Sequence, residues 1–215
     1  MQDYIASAKK SYNEIPEPDM AKMHAHDSYE LYCFLRGDAK YSVEGSFYEL
    51  RPGDIMIMKR AEAHCLIINS LEPYERYVIH FYPEAILGED REDILRFIDE
   101  RPLGKFNRFP ASLFKNKHWE YYFEKICGGK PYEQRIFLTA LIFELAEAFP
   151  EIKNEEQKTE NFSNIIAYIN EHISENISLD HICSYAFLSK SQLNRKFKAI
   201  TGSTVWEYIT VKKLM

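Results

Sequence analysis

Cysteine is scarce in this chain: four in 215 residues (Cys33, Cys65, Cys127 and Cys183), far apart and with no Cys-x-x-Cys pair. That spacing argues against a cysteine-built zinc module or a disulfide scaffold, and predicts reduced thiols. No apolar run approaches the ~20 residues of a membrane-spanning helix. Met1-Gln2-Asp3 opens no signal peptide, so a cytoplasmic location away from membranes is expected. Positive charge is not in excess either: 27 Lys and Arg stand against 33 Asp and Glu, a net −6, which excludes a bulk polycation. There is no internal repeat and no low-complexity tract. What remains is a chain that is 46% hydrophobic, enough for one large domain or two modest ones.

The hydrophobic pattern changes period along the chain. Residues 1–20 end in Pro16-Glu17-Pro18 and read as an arm outside the core. Between 29 and 82, short apolar or alternating runs (Tyr29–Leu35, Ala39–Val43, Phe47–Leu50, Asp54–Met58, His64–Asn69, Arg76–Tyr82) alternate with turn signals such as Arg36-Gly37-Asp38, Glu44-Gly45 and Pro52-Gly53-Asp54. Six short strands at this spacing predict an antiparallel barrel or sandwich. After Pro83 helical periodicity takes over. Helices are predicted over Glu89–Glu100, Ser112–Cys127 and Pro131–Phe149, the last with Ile136, Phe137, Leu141, Ile142, Leu145 and Phe149 at 3–4 spacing. Residues 151–161 are charged and aperiodic, a linker. Four more helices are predicted: Ser163–Glu175, Ser178–Phe187, Ser189–Ile200 and from Thr204 onward.

The charge is unevenly shared. From Phe162 onward six Lys and Arg face four Asp and Glu, and within 188–213 Lys190, Arg195, Lys196, Lys198, Lys212 and Lys213 face only Glu207. A basic cluster on an acidic chain is the electrostatic footprint of a nucleic-acid contact. Ser189-Lys190-Ser191-Gln192 has the form of a capping box, after which Leu193, Phe197 and Ile200 share one helix face and Ser191, Asn194, Arg195 and Lys198 the other. Two short helices in tight succession, the second presenting Asn, Arg and Lys, read as a helix-turn-helix. Arg suits guanine, Asn suits adenine and Lys suits phosphate.

The run Ile182-Cys183-x4-Leu188-Ser189-x3-Leu193-x3-Phe197-Lys198-x2-Thr201-Gly202, followed by Tyr208, resembles the first helix-turn-helix of AraC/XylS-family transcription regulators over about 50 residues. The resemblance implies a DNA-binding segment at Ser189, Lys190, Ser191, Gln192, Asn194, Arg195, Lys196 and Lys198. Base reading falls on Ser191, Asn194 and Arg195, and phosphate contacts on Lys190, Lys196 and Lys198. Phe187 stands where the family places a turn glycine, which predicts a strained turn. Only one such unit is present where the family has two, so weak, strongly salt-dependent DNA binding is expected from this chain.

A second resemblance lies in the strand region. His24-x-His26-x3-Glu30-x6-Gly37 resembles the first motif of the cupin superfamily, and Gly53 and His64 match two positions of the second, with Lys59 and Ala61 in place of its Pro and Gly. Alternation puts His24, His26, Glu30, Tyr32 and Phe34 on one strand face, the interior of a closed barrel. The chain is therefore expected to be α+β: a cupin-like antiparallel barrel (about 20–85) with packed helices (89–149), forming a domain over 1–150, and a partial helix-turn-helix domain over 162–215. The expected ligand site comprises His24, His26, Tyr29, Glu30, Tyr32, Phe34 and His64, its partner a small-molecule effector. His24, His26, Glu30 and His64 are also a donor set for Zn²⁺, Fe²⁺, Mn²⁺ or Ni²⁺. A metal-dependent cupin enzyme of oxygenase or isomerase type is the alternative function, and a DNA-free pairing partner a third. His80 and His118 read as ordinary histidines. Pairing of helix 131–149 with a second copy predicts a homodimer, which would bring two heads to operator DNA. The overall expectation is a ligand-responsive, non-enzymatic transcription regulator.

Overall fold

The computed structural model describes residues 4–16, 22–114, 119–156, 163–175 and 177–214. His118 and positions 157–161 of the expected linker lie outside the described residues, as does the side chain of Ile200.

The architecture is α+β, with an N-terminal two-sheet region and a C-terminal helical bundle. The described residues form eight strands: β1 (Ile5–Asn13), β2 (Tyr29–Arg36), β3 (Ala39–Val43), β4 (Ser46–Glu49), β5 (Ile55–Met58), β6 (His64–Ile68), β7 (Tyr74–Phe81) and β8 (Arg108–Phe109). They form a five-stranded sheet of order β1-β7-β2-β5-β8 and a three-stranded sheet of order β4-β3-β6, all described pairings being antiparallel. The described residues also form seven α-helices: α1 (Arg91–Asp99), α2 (Trp119–Gly128), α3 (Pro131–Glu156), α4 (Ser163–Glu171), α5 (Leu179–Ala186), α6 (Lys190–Thr201) and α7 (Val205–Lys213).

Period-two alternation along β2 assigns its side chains to two cores. Tyr29, Leu31 and Cys33 face α1–α3 and join Ile57, Ile79, Phe81, Leu141 and Leu145. Tyr32 and Phe34 face the second sheet and meet Tyr41, Val43, Tyr48, Met56, Met58 and Tyr74. Because β2 is central and covered on both faces, its sequence is nearly continuously apolar rather than simply amphipathic. A third core holds the C-terminal bundle: Ile165, Ile166, Ile169, Ile182, Leu193, Phe197, Val205 and Tyr208, with Ala63 contributed by the sheets.

Three expectations are corrected. The segment read as an arm contains β1, which pairs along β7 from Ile5↔Phe81 to Asn13↔Tyr74. Its own pattern is mostly polar, and its stability comes from completing the edge of β7 and from packing Tyr4, Ile5 and Ala8 on the helix-facing core. The helix expected over Ser112–Cys127 begins as a short 3-10 turn at Ala111–Phe114, with α2 starting only at Trp119. Finally, α3 runs past Phe149 and through Pro150 to Glu156. Proline removes one backbone donor, but Ile152 is buried in the core beyond it, and that burial keeps the helix going.

Candidate functional site

The cupin-like residues meet at one end of the two sheets. Glu30, the second residue of β2, lies opposite His80 of β7 and Met58 of β5. His64 opens β6 in the other sheet, and His24 joins it through an isolated antiparallel bridge, His24 N–H to His64 O at 3.0 Å and the reverse at 2.9 Å. His26 follows two residues on, as strand alternation requires, and its Nε2 lies 2.9 Å from Glu30 Oε2, with His64 Nε2 at 3.3 Å from the same oxygen. The donor atoms of His24, His26, Glu30 and His64 all lie within 4.8 Å of one another. Glu30 and His64 are buried, His26 is half-buried and His24 is exposed at the rim.

The orientation of the rings follows from their outer nitrogens. His24 Nδ1 is 2.9 Å from Lys22 O, His26 Nδ1 is 2.9 Å from Ser28 O, and His64 Nδ1 is 2.7 Å from Glu62 O. A carbonyl only accepts, so each Nδ1–H donates outward and each Nε2 faces inward, those of His26 and His64 donating to Glu30 when their rings are protonated and offering lone pairs when neutral. Three imidazole lone pairs and a carboxylate thus converge on one point, an arrangement that attracts a cation or protons. Outer-shell tethers of this kind orient histidines that bind metals, and tetrahedral ligation at ~2.0–2.2 Å needs donors only ~3.4 Å apart, within easy reach of this set. Tyr41 donates its hydroxyl to the other Glu30 oxygen at 2.9 Å.

The electrostatics agree with the geometry. Burial alone would push the Glu30 carboxyl up, but the charges and hydrogen bonds of His64, His26 and His80 outweigh it and hold the group well below the usual carboxylate range. Burial works against protonation of His64, yet Glu30 beside it raises its pKa. His24 and His80 are lowered, chiefly by burial.

His80, which the sequence reads as an ordinary histidine, joins the cluster, as does Tyr41, which the sequence does not single out. His80 Nε2 lies 3.6 Å from Glu30 Oε2, and its ring is 4.6 Å from that of His26. Its cross-strand position opposite Glu30 is the signal that places it there, and that register belongs to the fold. Tyr29, by contrast, is a correction. As the neighbour of Glu30 in an extended strand it must point to the opposite face, where it stacks on Phe81 and donates to Asp99. Tyr32 and Phe34 do share the face of Glu30, but they are buried in the packed space between the sheets, Tyr32 hydrogen-bonded to Tyr74. The cluster reaches solvent through His24 and the half-buried His26, whereas the aromatic interior is closed off.

The second candidate site is on the bundle. Ser178 caps α5, accepting from His181 N–H, and α5 ends on Phe187 in the left-handed region (φ 53°), where the sequence departs from glycine. Phe187 is 94% exposed. Ser189 and Gln192 form both halves of the expected capping box at the start of α6, and Gly202 ends it at φ 77°. Leu193 and Phe197 are buried, while Lys190, Ser191, Gln192, Arg195, Lys196 and Lys198 are exposed along one ridge. Lys190 is paired with Asp180. Asn194 is half-buried, and its Oδ1 accepts the Val205 N–H at 3.4 Å, so its side chain is turned toward the start of α7. The cationic ridge is therefore carried by Arg195, Lys196 and Lys198.

Among the described residues no helix is long and apolar enough to cross a membrane. No curated protein sequence matches the chain. Solved structures similar to it include the plu4264 protein of Photorhabdus luminescens, at 25% identity and a TM-score of 0.27 over 35% of this chain and 55% of that one. The chain therefore spans just over half the length of that protein. A cupin protein of Bacteroides fragilis aligns at 23% identity and a TM-score of 0.32 over 39% of this chain and 72% of its own. Unsaturated fatty acid-bound ToxT of Vibrio cholerae aligns at 13% identity and a TM-score of 0.43 over 100% of this chain and 80% of its own. The segment 12–98, which carries β2–β7, the His/Glu cluster and most of α1, matches the family model of the AraC-like ligand binding domain.

Proposed function

We propose that this chain is a cytoplasmic, DNA-binding transcription regulator, with a sensing domain over residues 1–150 and a helix-turn-helix head from 162 onward. In this reading the two sheets are the walls of a cupin-like barrel, and the effector binds at the open end where His24, His26, Glu30 and His64 converge. The observation that carries the proposal is the joint presence, in one chain, of a segment matching an AraC-like ligand binding domain and a capped α5–turn–α6 unit with Arg195, Lys196 and Lys198 exposed. Arg195 is the side chain best placed for a bidentate base contact, and the lysines serve phosphates. The exposed Tyr132, Ile136 and Phe143 of α3 supply an apolar face for pairing two copies, which raises the affinity of the α5–turn–α6 unit for DNA.

The experiment is a binding selection from random duplexes followed by titration of the selected site. Arg195→Ala is expected to relax preference at one base pair and cost ~1–3 kcal/mol there. An equal loss on all sequences reassigns Arg195 to phosphate, and the absence of any enriched site refutes the regulator reading.

A second reading is favoured by the three Nδ1–carbonyl tethers: the effector site holds a divalent transition metal through His24, His26, Glu30 and His64. Such an ion would supply a Lewis-acidic centre for a small anionic or carbonyl ligand. Elemental analysis of purified protein tests it. Stoichiometric Zn, Fe, Mn or Ni that disappears in His26→Ala and His64→Ala supports the site, and turnover of a substrate by the loaded protein would favour the cupin-enzyme alternative.

A further inference from the structure

The wall that carries the histidines also carries the helical bundle. Across the bridged strands His24 and His64 point to the cluster, while their neighbours point the other way, as alternation dictates. Met23, Ala25 and Ala63 pack into the core of the bundle, and Cys65 Sγ reaches Thr201 O of α6 at 3.0 Å. A two-stranded ribbon thus separates the cluster from the helices by one backbone thickness.

The β3–β4 turn adds a charged clasp. Glu44 takes a left-handed conformation (φ 46°) and is buried, with its carboxylate aimed at the bundle. It accepts the Ala63 N–H at 2.8 Å, the Asn170 amide of α4 at 3.1 Å, the Tyr208 hydroxyl of α7, and the Lys212 ammonium of α7 at 2.8 Å. Lys212 also donates to Ala61 O at 2.9 Å. The next residue, Gly45, lies so close to α4 that a Cβ there would fall 1.7 Å from Ile166 Cδ1. Segment 61–64 therefore binds Lys212 through Ala61, Glu44 through Ala63, and the cluster through His64. A buried carboxylate stripped of its cation is costly, so α7 is either seated on this turn or the turn itself must open to water.

We propose that Glu44 and segment 61–64 form a clasp that links the seating of α7 to occupancy of the His/Glu cluster. This rests on reading that cluster as the sensing site. A ligand that draws in His64 or His24 moves the ribbon on which Glu44 and the bundle are seated, and by linkage the seated bundle favours one state of the cluster.

Hydrogen exchange of the full chain, followed in peptides covering 205–213, tests the clasp from both sides. Saturating Zn²⁺ is the probe, and α1, packed on the far sheet, is the internal control. His64→Ala, and separately the rim variant His24→Ala, are expected to alter α7 exchange at least about fivefold, the low end of allosteric couplings, with α1 unchanged. Zn²⁺ is expected to alter α7 exchange in the wild type and to have a smaller effect in Lys212→Met. Unchanged α7 exchange in both histidine variants overturns the clasp, as does bound Zn²⁺ without an effect on α7. If Zn²⁺ does not bind the wild type, the metal reading of the cluster fails, while the histidine variants still decide the clasp.

Discussion

Replacing Arg101 by methionine is expected to destabilise the protein by ~3–5 kcal/mol, because it leaves a buried carboxylate without its counter-ion. Arg101 and Glu62 both have fully buried side chains. The guanidinium grips the carboxylate at two points, Nη1 to Oε1 at 2.7 Å and Nη2 to Oε2 at 2.5 Å, and also donates to Ile57 O, Lys105 O and Asn107 Oδ1. Glu62 keeps the Lys59 and Gly104 N–H donors and the Asn107 amide, so the loss should fall toward the lower end of that range. For a chain of this size ~3 kcal/mol lowers the melting temperature by roughly 6–12 °C. The double variant Arg101→Met with Glu62→Gln should recover much of the loss, since a neutral amide no longer needs the cation. The pH dependence has a defined sign. Burial pushes the Glu62 carboxyl up, but Arg101 together with the Gly104 and Lys59 N–H donors outweighs it and holds the group below the usual value of 4.5. A depressed native pKa contributes stability that is present above 4.5 and lost as pH falls through the native value. In Arg101→Met the Gly104 and Lys59 N–H donors still lower the carboxyl, but without Arg101 the upward push of burial weighs more, so the native pKa rises above that of the wild type and the gap between variant and wild type should narrow on acidification. Thermal unfolding monitored by circular dichroism between pH 7 and pH 4 checks this. A drop of less than ~2 °C, or a gap that widens in acid, would refute the reasoning.

Phe187→Gly should stabilise the bundle by up to ~1 kcal/mol: it relieves a left-handed non-glycine residue and gives up almost no packing, as Phe187 is 94% exposed. A lower melting temperature would show that the ring has a contact role. Gly45→Ala should cost at least ~1–2 kcal/mol through its positive φ alone, and should loosen α4 against the sheet because of Ile166, which exchange protection over 163–171 reads directly. Phe143→Glu places a charge on the exposed face of α3 and should shift sedimentation toward monomer without altering the melting of the two-sheet domain. An unchanged mass at micromolar concentration would remove α3 from the pairing surface.

Much of the local structure is legible in the residues. Leu31, Cys33, Ile55 and Ile57 alternate with Glu30, Tyr32, Met56 and Met58, and strand period two assigns each set to its face without further information. Ser189, Gln192 and Gly202 are sufficient to start and stop α6, because caps act over three or four residues. The histidine motif likewise brings His24, His26 and Glu30 together through spacing in extended chain. The departures from glycine at Ala61 and Phe187 were visible too, and both positions take positive φ.

What the residues could not supply is long-range partnership. β1 exists because the edge of β7 satisfies its backbone, not because of its own side chains. His80 joins the cluster because β7 lies beside β2 in a register that places it opposite Glu30. Glu44 reads only as part of a turn signal, yet its partners Asn170, Tyr208 and Lys212 lie 126, 164 and 168 positions away. Periodicity, capping and turn chemistry are set by neighbours within a few residues, so the sequence by itself determined most of the elements, their faces and the grouping of His24, His26 and Glu30. Which buried charges meet, and that the helical bundle is seated on the same ribbon as the cluster, depended on chain-distant groups finding each other when the three cores closed, and only the tertiary structure decided that.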